Sequence, residues 1–149
     1  MRRLISAFFL TTCTAVPPAE PVVEHVHPNG LTLRLPASLS VQEMPGGFLV
    51  DIEARRRSRY PLNVEVVRHE GANSPDGNWP TTRVVRGRTC AYRQTHGSGG
   101  SGGDEIFLDA WCPYPGGYVQ IDHAAQSEWP PEPSDEFGWQ VLAGLVDPR

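Results

Sequence analysis

The 149-residue chain lacks any apolar run approaching the roughly 20 residues needed to span a bilayer, so no stretch of it reads as a transmembrane helix. Charged residues make up only 20% of it and the balance is mildly acidic, net −4, which argues against a nucleic-acid partner. It has three cysteines, none in a C-x-x-C pair, and its histidines do not cluster at ligand spacing, so no zinc motif is present. His69, His96 and His123 stand apart and form no recognisable triad. Long uninterrupted helices are also disfavoured: fifteen glycines and fifteen prolines point instead to many turns and short strands. The length suits one domain able to bury a core.

What is present begins with an address. Arg2 and Arg3 precede the short apolar stretch Leu4–Leu10, and small polar residues then lead to Cys13, the layout of an export signal. Leu10-Thr11-Thr12-Cys13 resembles a bacterial lipobox, although Thr12 stands where Gly, Ala or Ser is usual. That resemblance implies a signal peptide over residues 1–12, lipidation at Cys13 and a membrane-anchored periplasmic product. Thr14 in the next position implies sorting to the outer membrane. The alternative is cleavage after Ala15, which yields a soluble periplasmic or secreted protein. Removing Arg2 and Arg3 from the 13 basic residues leaves 11 against 17 acidic. Residues 13–29 carry Pro17, Pro18, Pro21 and Pro28 and read as an extended tether. His25 and His27 lie in it, but two histidines without further ligands make no metal site. The domain proper is expected over 30–149.

Cys90 and Cys112 sit in two strand-like runs, RTCAYRQT and EIFLDAWC, separated by the glycine-rich HGSGGSGGD. If the runs form an antiparallel hairpin centred near Ser101, Cys90 opposes Cys112, Tyr92 opposes Ala110, Arg93 opposes Asp109 and Gln94 opposes Leu108. One register thus aligns both cysteines and an opposite charge pair. Directly opposed positions can carry a cross-strand disulfide, and such a bond persists in the periplasm but rarely in the cytosol. Two buried free thiols are the alternative.

Alternating apolar residues predict further strands at Leu31–Leu35, Phe48–Ala54 and Leu62–Val66, the last two as a hairpin. Strands near 82–86, 88–95, 105–112 and 118–122 follow, with Gly87 at a bulge or bend. In SDEFGWQVLAGLV, Ser134 suits an N-cap, and Phe137, Val141, Leu142 and Leu145 share one helical face. Gly138 and Gly144 weaken its intrinsic propensity, so packing must hold it. The expected architecture is α+β: an antiparallel meander sheet of about six or seven strands covered by a C-terminal helix.

GLTLRLPASLSVQ, the following meander and the aromatic-rich final helix together resemble the PsbP-like fold, over about residues 29–146. Small lipoproteins of that outline include type VI secretion immunity proteins, and the chain is similar to those that neutralise peptidoglycan-cleaving muramidase effectors. The resemblance implies a binding protein rather than an enzyme, with an effector protein as partner and an occluded substrate groove as mechanism. It implies no cofactor of its own; calcium would enter through the effector.

The residues expected to bind the partner lie on turns. GANSPDGNWP (71–80) offers Asp76, Asn78 and Trp79, without EF-hand spacing. RRRSR (55–59) offers Arg56, Arg57 and Arg59, either a solvated turn or a patch for an acidic partner or anionic headgroups. Asp104 and Glu105 either solvate a hairpin end or enter a cationic groove. Trp79 either packs under its own loop or acts as a hot spot. GGSGG (99–103) formally matches G-x-S-x-G but lies between two strand-like runs, with no α/β framework to make a nucleophile elbow. No catalytic residue is assigned. The rival function is a structural or assembly lipoprotein of the envelope without a toxin partner.

Overall fold

The period-2 alternation does fold into strands, and the computed structural model describes residues 19–52, 62–98, 103–127 and 133–148. The elements are β1 (Val22–Val26), β2 (Thr32–Pro36), β3 (Leu39–Met44), β4 (Gly47–Ile52), β5 (Asn63–Glu70), β6 (Thr81–Val85), β7 (Arg88–Ser98), β8 (Asp104–Tyr114), β9 (Gly117–Ser127), α1 (Glu136–Leu142) and β10 (Leu145–Val146). A seven-stranded antiparallel sheet has the order β3-β4-β5-β9-β8-β7-β6, and a three-stranded sheet has the order β1-β2-β10. The α+β architecture with a C-terminal helix is therefore as expected. The large sheet is not one continuous meander. Two hairpin runs meet where β5 pairs with β9, because the long 71–80 loop carries the chain from β5 to the far edge strand β6.

The β7–β8 register agrees with the expected one. Tyr92 opposes Ala110, Arg93 opposes Asp109 and Gln94 opposes Leu108. Cys90 and Cys112 are bonded as a disulfide, with Cα atoms 4.3 Å apart and both side chains fully buried. The strands run further than predicted, out to Ser98 and back from Asp104, so the glycine-rich connection is shorter than HGSGGSGGD. Gly87 marks a tight turn rather than a bulge. Val85 pairs with Arg88, and the two central residues both have positive φ, Arg86 at 46° and Gly87 at 81°. That is the requirement of a two-residue hairpin whose twist matches its strands, and glycine meets it without steric cost.

Directly opposed residues share a sheet face. One face carries Phe48, Val50, Val64, Val66, Val119, Ile121, Leu108, Ala110 and Cys112, all buried. Full burial of such aliphatic side chains stabilises by about 1.5–3 kcal/mol each. The helix covers one part of this inner face. Trp139 meets Tyr92 edge-on at 5.1 Å, with the Arg83 guanidinium 4.7 Å from its ring centre. The N-cap is Asp135, one residue beyond the Ser134 expected, and its side chain makes no capping bond; the Ser134 hydroxyl, one position earlier, accepts the Glu136 N–H at 3.1 Å.

α1 is only seven residues long, shorter than the sequence pattern suggested. Gly138 within it and Gly144 just after it sit at close approaches. A Cβ at Gly138 would lie 3.0 Å from Leu108 Cδ2, and one at Gly144 would lie 2.7 Å from the Arg34 carbonyl oxygen, where the chain leaves the helix to pair with β2.

The small sheet covers the rest of the inner face and corrects the tether expectation. Val22–Val26 is not free linker but β1, paired with β2 from Val22–Pro36 to Val26–Thr32. Three of its five residues are valine, which favour an extended strand, and although all three are exposed, the backbone pairs with β2 and the half-buried His25 supplies the contact with the core. His25 and His27 pack edge-on against Phe48, with centroids at 6.4 and 5.4 Å. His27 also has Nε2 3.2 Å from the Met44 carbonyl. Tyr114 ties the sheets together: its buried hydroxyl lies 2.8 Å from the Val146 carbonyl and 3.2 Å from the Thr32 N–H.

Candidate functional site

The opposite face of the large sheet carries a different chemistry, which follows from the same registers. Glu65 opposes Asp122, Asp122 opposes Asp109, and Asp109 opposes Arg93. A single rung across β5, β9, β8 and β7 therefore displays three carboxylates and one guanidinium. At its end, the Arg93 guanidinium stacks over the Trp79 ring at 4.2 Å, which places Trp79 of the 71–80 loop on this outer face. The next rung holds Gln120 beside Trp111, and the rung on the other side pairs Ala124 with Phe107, which is 41% exposed.

The charges are unevenly compensated. Asp109 accepts from Arg93 at 2.5 Å and from Gln120 Nε2 at 3.0 Å. Asp122 and Glu65 have no ion-pair partner among the described residues. Partial desolvation raises the Asp122 pKa above its ordinary value, and repulsion by Asp109 and then Glu65 adds to that, against smaller opposing effects of Arg93 and His69. Directly opposed like charges destabilise a sheet, on the order of a few tenths of a kcal/mol per pair at an exposed site. The rung is thus a surface that the free protein holds at some cost. It is suited to receive cationic groups, and Phe107 and Trp79 add apolar area.

The predicted site residues are only partly brought together. Trp79 is half-buried in the rung, while Asp76 and Asn78 are exposed on its loop. Asp104 and Glu105 lie at the start of β8, opposite Ser98 and Gly97. Five residues of strand separate Asp104 from Asp109, roughly 17 Å, so they form a separate feature. Glu105 accepts from Gln126 Nε2 at 2.6 Å, and with His96, Gly97, Asp104 and Pro133 it lines a cleft. Arg56, Arg57, Arg59 and Cys13 fall outside the described residues. Among the described residues, no group of three or more His, Cys, Asp or Glu is placed to hold a metal ion. His123 is buried between the Asn63 carbonyl, 2.7 Å from Nδ1, and the Ser134 carbonyl, 3.5 Å from Nε2, beneath Phe137. It serves packing, on the face away from the rung.

Sequence reasoning missed Glu65, Gln120 and Asp122. The signal that could have found them was the hairpin register itself. Extending it from β8 to β9 places Asp122 beside Asp109, and extending it to β5 adds Glu65.

The family model described as the type six secretion immunity 3 domain matches residues 32–146. None of the curated proteins matches the chain. Among solved structures, a crystal structure of a protein from Bacteroides thetaiotaomicron VPI-5482 is similar, with a TM-score of 0.56 at 12% identity. The likeness covers 85% of this chain and 48% of that one, so the chain spans about half the length of the solved protein. At that identity the likeness shows the fold alone.

Proposed function

The chain belongs to the type six secretion immunity 3 domain family, and from that premise we propose that it protects its own cell by binding a peptidoglycan-degrading effector in the periplasm and blocking that enzyme's substrate groove. The buried Cys90–Cys112 disulfide supports the periplasmic reading. Such bonds form and persist outside the cytoplasm, and the Arg2–Cys13 stretch has the layout of an export signal. An effector met in that compartment has peptidoglycan as its exposed polymer, which supports a muramidase as the target. Cys13 is the proposed lipid anchor, holding the domain at the outer membrane. Inhibition is steric and stoichiometric: a rigid antiparallel sheet presents the Trp79 loop and the charged outer rung to the enzyme, and charge complementarity sets partner and on-rate. Calcium, where the complex uses it, comes with the effector.

The test is protection. A peptidoglycan-hydrolysing effector directed to the periplasm should lyse cells, and co-expression of this chain with its leader should restore growth. The same chain without residues 1–12 should not. Lysis unchanged by the exported chain, together with no complex between the purified proteins, would refute the proposal.

A further inference from the structure

The outer rung has a feature the fold does not need. Three carboxylates stand in adjacent strands where an alternating or neutral row would serve the sheet better, and Asp122 opposes an acid on both sides. Among the described residues, the arginines that could relieve it have other partners. Arg34 pairs with Glu24, Arg83 with Glu136 and Arg88 with Asp147. Arg68 binds the Asn29 and Pro115 carbonyls and Glu70. Arg86 sits in the β6–β7 turn, beyond the edge of the sheet away from Asp122. Arg93 pairs with Asp109 and stacks on Trp79, so it offsets the rung's charge only from one end. The inner face is covered by the helix and the small sheet, so this outer face is the one that displays charge, with the exposed Phe107 beside it.

We infer that the Glu65–Asp122–Asp109 rung is a docking surface for a cationic segment of the effector, an arginine- or lysine-bearing stretch whose charged heads meet Asp122 and Glu65. The aliphatic stems of that stretch lie along Phe107 and Ala124. The argument is charge complementarity on an open sheet face: a partner cation converts two repulsive cross-strand pairs into two attractive ones. Long basic side chains carry enough methylene stem to cover Phe107 while their heads reach the carboxylates. This inference rests on the reading of the chain as an effector-binding immunity protein, and adds which surface recognises the effector and by which chemistry.

The test uses the whole processed chain and, as probe, a purified peptidoglycan-hydrolase effector against which the exported chain protects cells. Binding is measured by calorimetry at several salt concentrations for the wild type, Asp122→Asn, Glu65→Gln and the double variant. The double variant should bind at least about tenfold more weakly, with a shallower salt dependence. Its melting temperature should be unchanged or higher, since the substitutions relieve repulsion. Loss of binding with a preserved fold is a signature that mere destabilisation does not produce. If the wild type binds and the double variant binds within about twofold of it, the rung is not the docking surface, while the immunity reading stands. If the wild type fails to bind, the immunity reading fails and this inference with it. If the wild type is a dimer in solution and the double variant is monomeric, the face belongs to a second copy of the chain and the inference is overturned.

Discussion

Replacing Tyr114 by phenylalanine removes a single oxygen from the core and keeps the ring, so it isolates what that oxygen does. Tyr114 is 4% exposed, and its hydroxyl is a buried polar link between the two sheets. The hydroxyl has one proton. The shortest contact, 2.8 Å, directs that proton to the Val146 carbonyl rather than to the Gly30 carbonyl at 3.2 Å. Its lone pairs then accept the Thr32 N–H at 3.2 Å. Thr32 also pairs with Val146 in the β2–β10 ladder, so in the variant its N–H keeps that partner and loses only the Tyr114 oxygen, and what is lost is the hydroxyl's own hydrogen bonding, a net of about 0.5–1.5 kcal/mol per bond. Val146 is half-buried, so its carbonyl can turn to water and contributes less. The sum is about 1–2 kcal/mol, equivalent to a fall in melting temperature on the order of 5 °C for a domain of this size. Urea titration should show an earlier midpoint with an unchanged slope. Hydrogen exchange should speed up first in Thr32–Pro36 and Leu145–Val146, the strands that lose their tie. A loss below about 0.5 kcal/mol would refute the reasoning and assign the sheet–sheet link to apolar packing alone.

Two further outcomes follow from the same structure. The disulfide spans a sequence separation of 22 residues, so replacing Cys90 and Cys112 together by alanine should cost about 3 kcal/mol in the chain-entropy model. Unfolding curves of oxidised and variant protein would measure it, and coincident curves would mean that the β7–β8 register holds without the bond. Asp122 has a folded pKa above its ordinary value of 3.8, so the native state binds more protons than the unfolded state in the window just above that value. Its contribution to stability therefore falls as pH rises through the window and recovers as pH drops toward 3.8. Asp122→Asn should be more stable than wild type at pH 7 by a few tenths of a kcal/mol, a gap that closes as the wild-type carboxyl protonates; a variant less stable at pH 7 would overturn the account.

The β7–β8 hairpin was legible because two independent constraints, a pair of thiols and a pair of opposite charges, chose the same register. Where only alternation was available, the strands were legible but their neighbours were not. Nothing local in Asn63–Glu70 says that it pairs with Gly117–Ser127, whose residues lie 47 to 61 positions further along the chain from their partners. The inner face could be read from its valines and leucines, and the helix from Phe137, Val141 and Leu142, since burial leaves a compositional trace at a fixed period. Val22–Val26 misled because prolines before and after it suggest free chain, while its own β-branched residues favour the extended strand that pairs with β2. β10 is two residues long and cannot announce itself. The outer rung was illegible for a deeper reason: Glu65, Asp109 and Asp122 are ordinary polar residues at the outward position of three strands, and only the tertiary pairing makes them neighbours.

That last point bears on how an immunity protein could keep its partner while its effector changes. A core position is constrained by packing on all sides, whereas an outward residue in a strand is constrained chiefly by its cross-strand neighbours. A recognition row assembled from four strands can therefore exchange one charge at a time, each step altering affinity for a given partner without unfolding the sheet. The repulsion stored among Glu65, Asp122 and Asp109 is then a source of specificity: an acidic or neutral surface docking there would add to it or leave it unrelieved, and only a correctly spaced cationic one removes it. On this argument discrimination between effectors lies less in the attraction of the right partner than in the rung's intolerance of the wrong one.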